Sequence, residues 1–411
     1  MPTASSKFAI LVFEDDVIDK LRPVVTARPG YAITCASFRL IDWLRKLEAT
    51  IYGEVRPHLR VLQQLDFGLS EPPPELPAGT SLLLVNARVV PAASILPILK
   101  SLVSENRPQV IRDAAGVVYA AFMPSPTAIA SIHQESASLP PSTSQLNLFN
   151  WPHDVVASHM KLMNESMEYR VKNGDYQQLQ DGVFVRPGAK IGQYSVIDTS
   201  KGPIILEDDV QVGPFCLLSG PLHAGARTRI IEHSALKDGV SLGHTTKIGG
   251  EVEASVIEPY TNKQHHGFLG HSYLGSWINL GAGTCNSDLK NTYGNINMEY
   301  PNEKVATAMQ FMGCVMGDYS KSAINTGIFT GKVVGVCSML YGFVTTNVPS
   351  YVTYARLFGQ TSMLPSDVMI STQSRMFARR KVDQRECDRQ LIVDMFDLTE
   401  DERIGQTQLG L

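Results

Sequence analysis

Three imidazoles and three carboxamides crowd into residues 265–291, "HHGFLGHSYLGSWINLGAGTCNSDLKN", among them His265, His266, His271, Asn279 and Asn286. A neutral imidazole takes a proton from an attacking nucleophile near neutral pH, and it is also a common zinc ligand. The stretch therefore suits a catalytic loop or a metal site. It also suits the corners of a repetitive β fold, where Asn fills tight turns and side-chain ladders. Which of these applies depends on the elements that carry it.

Those elements announce themselves by period. Val185, Ile191 and Ile197 are six apart, and after a slip Leu206, Val212, Leu218, Ala224, Ile230, Leu236, Leu242, Ile248 and Ala254 keep that spacing. Glycine follows four of these nine, at 213, 225, 243 and 249, and the period returns at Met316, Ser322, Ile328, Val334 and Leu340. Six fits neither a helix nor an alternating strand. It fits a hexapeptide β-helix, in which each unit is a short strand plus a corner, the aliphatic points inward and small residues pass the corner. Stacked coils then bury one continuous column. The row breaks between Ala254 and Leu269, which predicts an extruded loop, "SVIEPYTNKQHHGF", carrying His265 and His266.

The 411 residues exceed what one core holds, so two or three domains are expected. Charged residues are 18% and the net charge is −4, without the basic excess of nucleic-acid binders. The apolar run in "MPTASSKFAILVFEDDVIDK" is too short for a signal peptide or a membrane span, and a cytoplasmic location is expected. Six cysteines without C-x-x-C spacing read as reduced thiols. Before the repeat, "FAILVF", "SLLLVNARVVP" and "GVVYAAFM" read as strands and "SFRLIDWLRKLE" and "ASILPILKSLV" as helices, an α/β domain with a mostly parallel sheet. The reading is an α/β domain over 1–150, a linker helix over 151–180, the β-helix over 181–355 and a helical tail over 356–411, with one charged helix along "RMFARRKVDQRECDRQLIVDMF" whose basic residues form a solvated face.

With the repeat in place, "GQYSVI", "NKQHHGFLGHSYLGSWINLGAGTCNSDLKN", "MGDYSKSAINTGIFTGKVVGVCSMLYG" and the N-terminal "LRPVVTARPG" carry a resemblance. The chain resembles the bacterial bifunctional enzymes that acetylate glucosamine-1-phosphate and then uridylylate it. Closer still are their divergent relatives, sugar nucleotidyltransferases in which a short N-terminal domain precedes a left-handed β-helix. The resemblance implies a left-handed coil, a homotrimer, and acetyl-CoA or another acyl-CoA lying between neighbouring β-helices. It also implies an N-acyltransferase acting on an amino-sugar phosphate or a nucleotide-linked amino sugar.

Carried over by residue, His265 falls where those acetyltransferases hold their catalytic base, with His266 as the neighbour should the register shift by one. Asn279 and Asn286 match sugar-contacting asparagines, Ala282 a contact to the acyl carrier, and Arg356 an arginine on CoA. The family holds the sugar phosphate with an Arg and a Lys. Here Lys237 stands in the first position and Ser255 in the second, which weakens that grip, and Lys263, Lys290 and Lys321 are further cationic candidates.

In the N-terminal domain the resemblance implies nucleotidyl transfer, with Mg²⁺ required only if that domain is active. "FAILVF" runs into Glu14, Asp15 and Asp16 instead of a Gly-rich phosphate loop, and Asn86, Ala87 and Arg88 stand where a metal-binding Asp is expected. Arg22 and Arg28 match the divergent family's basic positions as nucleotide-binding candidates. An alternative is a zinc carbonic anhydrase of the β-helix type, which draws its histidines from adjacent subunits, here His266, His271 and His233. A non-catalytic binding module is the remaining alternative.

Overall fold

The computed structural model describes residues 8–126, 128–301, 303–356, 360–404 and 407–408. The chain forms two compact units, one of residues 1–20, 28–33 and 38–150, the other of 21–27, 34–37 and 151–411.

In the first unit the apolar runs become strands β1 (Phe8–Phe13), β2 (Thr50–Glu54), β3 (Ser81–Asn86), β4 (Gln109–Arg112) and β5 (Val118–Met123). They lie in the order β2-β1-β3-β5-β4. β1 pairs in parallel with β2 and β3, whereas β5 runs antiparallel to both β3 and β4. The sheet is therefore mixed and not mostly parallel, because β4 and β5 join through a short turn and no helix intervenes. β1 and β3 are buried on both faces, as their unbroken apolar runs require.

In the second unit the six-residue period resolves into three parallel faces of a β-solenoid. On the first face Val185, Leu206, Ala224, Leu242, Ile257, Leu274, Met316 and Val334 stack one above another in register. On the second, Ile191, Val212, Ile230 and Ile248 do so, and on the third Ile197, Leu218, Leu236, Val252 and Leu269. Successive members of the sequence row belong to successive faces, so one period fills all three. The glycines after the inward residues let the next coil approach: a Cβ at Gly249 would lie 2.0 Å from the carbonyl oxygen of Gln264.

The corner between the first and second faces is cut by left-handed backbone at Asp209, Arg227, Thr245, Tyr260, Trp277, Tyr319, Cys337 and Tyr351, with φ between 56° and 65°. That conformation costs a non-glycine residue roughly 1–2 kcal/mol. Each of these N–H groups donates to a carbonyl of the preceding coil, as Thr245 does to Ala226 at 2.8 Å and Tyr319 to Ser276 at 2.9 Å, which offsets the cost.

Two expectations fail here. Ala254 is buried but sits at a corner with φ 49°, outside the aliphatic column. The break after it extrudes no loop: Glu251–Ile257, Asn262–Lys263 and Phe268–Gly270 are strands in register with their neighbours. The row slips because the coil is shortened at its corner, Leu242 pairing with Ile257. The excursion comes later, where Leu274 pairs with Met316 and Asn286 with Ile328, and it contains the hairpin Asn297–Tyr300/Glu303–Ala306.

The expected linker helix forms as His153–Asn173 and lies on the solenoid, His159 Nε2 standing 3.1 Å from the carbonyl oxygen of Gly239. The expected single tail helix is two, Ser366–Arg379 and Glu386–Leu398. Lys381 adopts left-handed backbone after the first. Asp388 starts the second by accepting the Arg385 N–H at 2.8 Å. Among the described residues no helix is long and apolar enough to cross a membrane.

Candidate active site

The site is built on the outer side of the second face. Strand register places Lys190, Gln211, Arg229, Lys247 and Asn262 in one row, each immediately before an inward position, and isolated bridges extend it through Asn279 to Lys321. Sequence period fixes this alignment, because a residue next to an inward aliphatic points outward on every coil.

The first tail helix closes over the row. Phe377 stacks on Trp277 with centroids 4.3 Å apart, and Trp277 stacks on Tyr260 at 4.2 Å, anchoring the helix to the solenoid corner. Its end then delivers Arg379 and Arg380 above the row, and Arg380 donates to the Asn262 carboxamide oxygen.

Between helix end and solenoid lies a cleft of about 360 Å³, walled by His265, Asn279, Ala282, Lys247, Arg379 and Arg380. No acidic side chain lines it among the described residues. A second hollow of about 240 Å³ shares Asn262, Asn279 and both arginines and adds Tyr260, Trp277 and Lys321. Burial lowers the Lys247 pKa from its ordinary range, and the charges of Arg380, Arg229 and Arg379 lower it further. Burial likewise draws the Lys321 ammonium down to about 8.

Three of the residues singled out from sequence, His265, Asn279 and Ala282, thus share one cleft. His266 is exposed beside them but does not line it. Lys263 differs from expectation: it pairs with inward Ile248, its side chain is 2% exposed, and its ammonium donates to the carbonyl oxygens of Gly249 at 2.6 Å, His265 at 3.2 Å and Gly267 at 2.7 Å. A shortened coil turned it into the lumen. Asn286 is also inward, exchanging hydrogen bonds with the N–H and C=O of Gly270 at 2.9 and 3.0 Å, so its amide serves the solenoid. Lys237 is held by Glu251 at 2.7 Å and Glu253 at 3.3 Å. Lys290 donates to the Asn295 carbonyl within the excursion, and exposed Arg356 donates to Thr346 Oγ1.

The missed residues are Lys247, Arg379 and Arg380. The pair "RR" reads in sequence as a solvated helix face, and only the Phe377–Trp277 stack reveals which surface it meets.

The histidines of the zinc alternative are not gathered within the chain. His233 stacks on Phe215, with centroids 5.3 Å apart, while His271 Nδ1 stands 2.8 Å from Asp288 Oδ2. Among the described residues the group able to share an ion is Glu253, His271 and Asp288, with ligand atoms within 4.8 Å of one another. Glu253 is already engaged by Lys237.

In the first unit the Mg²⁺ implied by the family does not fit. Glu14 accepts from Gly30 N–H at 2.9 Å and from Arg56 N–H and Nε at 2.8 and 3.0 Å. Asp15 is gripped by Arg88 at 2.6 Å and by the Asn86 amide at 2.8 Å. These carboxylates at the end of β1 are neutralised by arginine, and Asn86 serves them as a donor. Arg28 offers its carbonyl to Arg56 within this unit, whereas Arg22 falls in the other unit and donates to the Leu398 carbonyl at 3.0 Å.

Residues 10–173 match the family of sugar nucleotidyl transferases. The chain is 30% identical over 185 residues to the bifunctional protein GlmU of Ralstonia pickettii, covering 37% of this chain and 40% of that protein. It is 26% identical over 149 residues to a bifunctional sugar-1-phosphate nucleotidylyltransferase/acetyltransferase of Sulfurisphaera tokodaii, covering 36% and 37%. The chain thus spans about two fifths of the length of the curated relatives it matches, and it is a divergent relative of the GlmU-type proteins. A solved UDP-N-acetylglucosamine acyltransferase of Francisella novicida aligns with 54% of this chain and 79% of its own at 16% identity and a TM-score of 0.22. The solenoid assignment rests on strand register.

Proposed function

We propose that the chain is an acyl-CoA-dependent N-acyltransferase acting on an amino-sugar phosphate or a nucleotide-linked amino sugar, working as a cytoplasmic homotrimer. The observation that carries the reading is the convergence of His265, Asn279 and Ala282 on one cationic cleft at the solenoid corner. His265, exposed at the rim, takes the proton of the attacking amine as the C–N bond forms and the thioester C–S bond breaks, and the thiolate leaves with CoA. Asn279 offers a carboxamide to the sugar. One matched relative, that of Sulfurisphaera tokodaii, is named for nucleotidyl transfer and acetyl transfer together, which supports a transferase.

The test is thiol release from acetyl-CoA against a panel of hexosamine 1-phosphates and nucleotide-linked amino sugars. His265→Ala abolishes release and His266→Ala retains it. Loss in His266→Ala alone moves the base by one residue, and release undiminished in both variants refutes the histidine base.

A second reading, nucleotidyl transfer by the N-terminal unit, is favoured by the family match over 10–173. Its test is pyrophosphate release from nucleoside triphosphates with a sugar 1-phosphate and Mg²⁺. The arginine-paired Glu14 and Asp15 argue for no turnover.

A further inference from the structure

The row on the second face and the two helix-end arginines bring Lys247, Arg379 and Arg380 to one cleft, with Arg229 paired in register beside Lys247. Arg380 feels Arg379 and Arg229, and Lys247 feels all three. Neighbouring coils set the backbones of Arg229 and Lys247 about 4.8 Å apart, and like charges gathered at one place repel, a cost that a bound anion offsets. No carboxylate lines the adjoining cleft among the described residues.

The helix costs something to bring here. It is docked by the Phe377–Trp277 stack, and its guanidinium is aimed by the Asn262 oxygen into a place that is already positive. Lys247 and Arg380 are half-buried, so their repulsion is screened less than that of surface charges, while Arg379 and Arg229 stay exposed at the rim.

We infer that the end of helix Ser366–Arg379 is a phosphate clamp: Arg379 and Arg380, with Lys247 and Arg229 from two neighbouring coils, bind the phosphate ester of the ligand whose reacting end reaches His265. Three features select phosphate over other anions. Planar guanidinium forks match phosphate oxygens two at a time. Several cations at one point need more than the single charge of a carboxylate, and a phosphate monoester carries close to two. The cleft of about 360 Å³ admits a small molecule, and the net charge of −4 disfavours a nucleic-acid strand. The clamp also supplies what the sequence lacks at the family's own phosphate position, where Lys237 is held by Glu251 and Glu253.

The inference deepens the acyl-transfer reading, resting on it for the role of His265, but binding is measured without turnover. Adenosine 3′,5′-bisphosphate represents the nucleotide end of an acyl-CoA and glucosamine 1-phosphate represents the acceptor; each is titrated calorimetrically into the full chain. At least one binds, with an affinity that falls as salt is raised. Whichever binds identifies the source of the phosphate.

Arg379→Ala/Arg380→Ala weakens that probe by about tenfold or more, the equivalent of one lost charged hydrogen bond. Arg379→Ala alone, which leaves the Asn262 contact intact, weakens it measurably. Binding of neither probe, or equal binding by wild type and both arginine variants with unchanged circular dichroism, overturns the clamp. Arginine-dependent binding without thiol release sustains the clamp and removes the acyltransferase.

Discussion

Replacing Lys263 by Met tests the corner that carries His265. The ammonium sits in the solenoid lumen at 2% exposure, bound to the carbonyls of Gly249, His265 and Gly267. Burial pulls its pKa from 10.5 to about 8, against the fields of Cys285 and Glu251, which favour the charge. An unfolded lysine titrates near 10.4, so between about pH 8 and 10.4 the unfolded chain holds a proton that the folded chain has released. Stability from this group therefore rises with pH across that window, by about 3 kcal/mol for a shift of this size.

The Met variant lacks the titrating group. The stability difference, wild type minus Lys263→Met, should grow by about 3 kcal/mol between roughly pH 7 and pH 10.5. Urea unfolding of both proteins at the two ends of the window measures it, and pH effects shared by both cancel in the difference. Thiol release by the variant at pH 7 should also fall, because the carbonyls of His265 and Gly267 lose the donor that fixes the corner. Parallel stability profiles would show that the ammonium is not held at a burial cost, and the account of the shortened coil would fail with it.

Two further outcomes follow from buried charges elsewhere. Arg88→Met strands Asp15 and should destabilise the N-terminal unit by about 3 kcal/mol, while Arg88→Met/Asp15→Asn recovers most of the loss; thermal unfolding of both variants checks this. His159 accepts the Ala36 N–H at 3.1 Å, and burial lowers its pKa to about 4. Between about pH 6.5 and 4 the unfolded chain binds the proton that the folded chain refuses, so stability falls on acidification by about 3 kcal/mol, a loss that His159→Gln should not show in acid titration.

The solenoid was legible because one inward aliphatic per six residues leaves a mark that any coil must repeat, and the outward row beside it follows by the same count. Glycines at 225, 243 and 249 were legible for the same reason, since a Cβ there meets the next coil's backbone. Asn279 and Ala282 were singled out through a matched motif, and both line the cleft.

Lys263 and Asn286 were misread because a shortened coil changes which residue faces the lumen, and six-residue spacing does not record how many residues a corner omits. The mixed sheet was likewise decided by the short β4–β5 turn.

The order of the units, the parallel coils and a histidine at a solenoid corner were determined by the sequence itself, since local periodicity and steric fit set them. Only tertiary structure decided that Arg379 and Arg380 belong to the cleft. Their position depends on long-range contacts, among them the stack of Phe377 on Trp277 a hundred positions away and the Arg380–Asn262 hydrogen bond, and no local pattern encodes contacts at that separation.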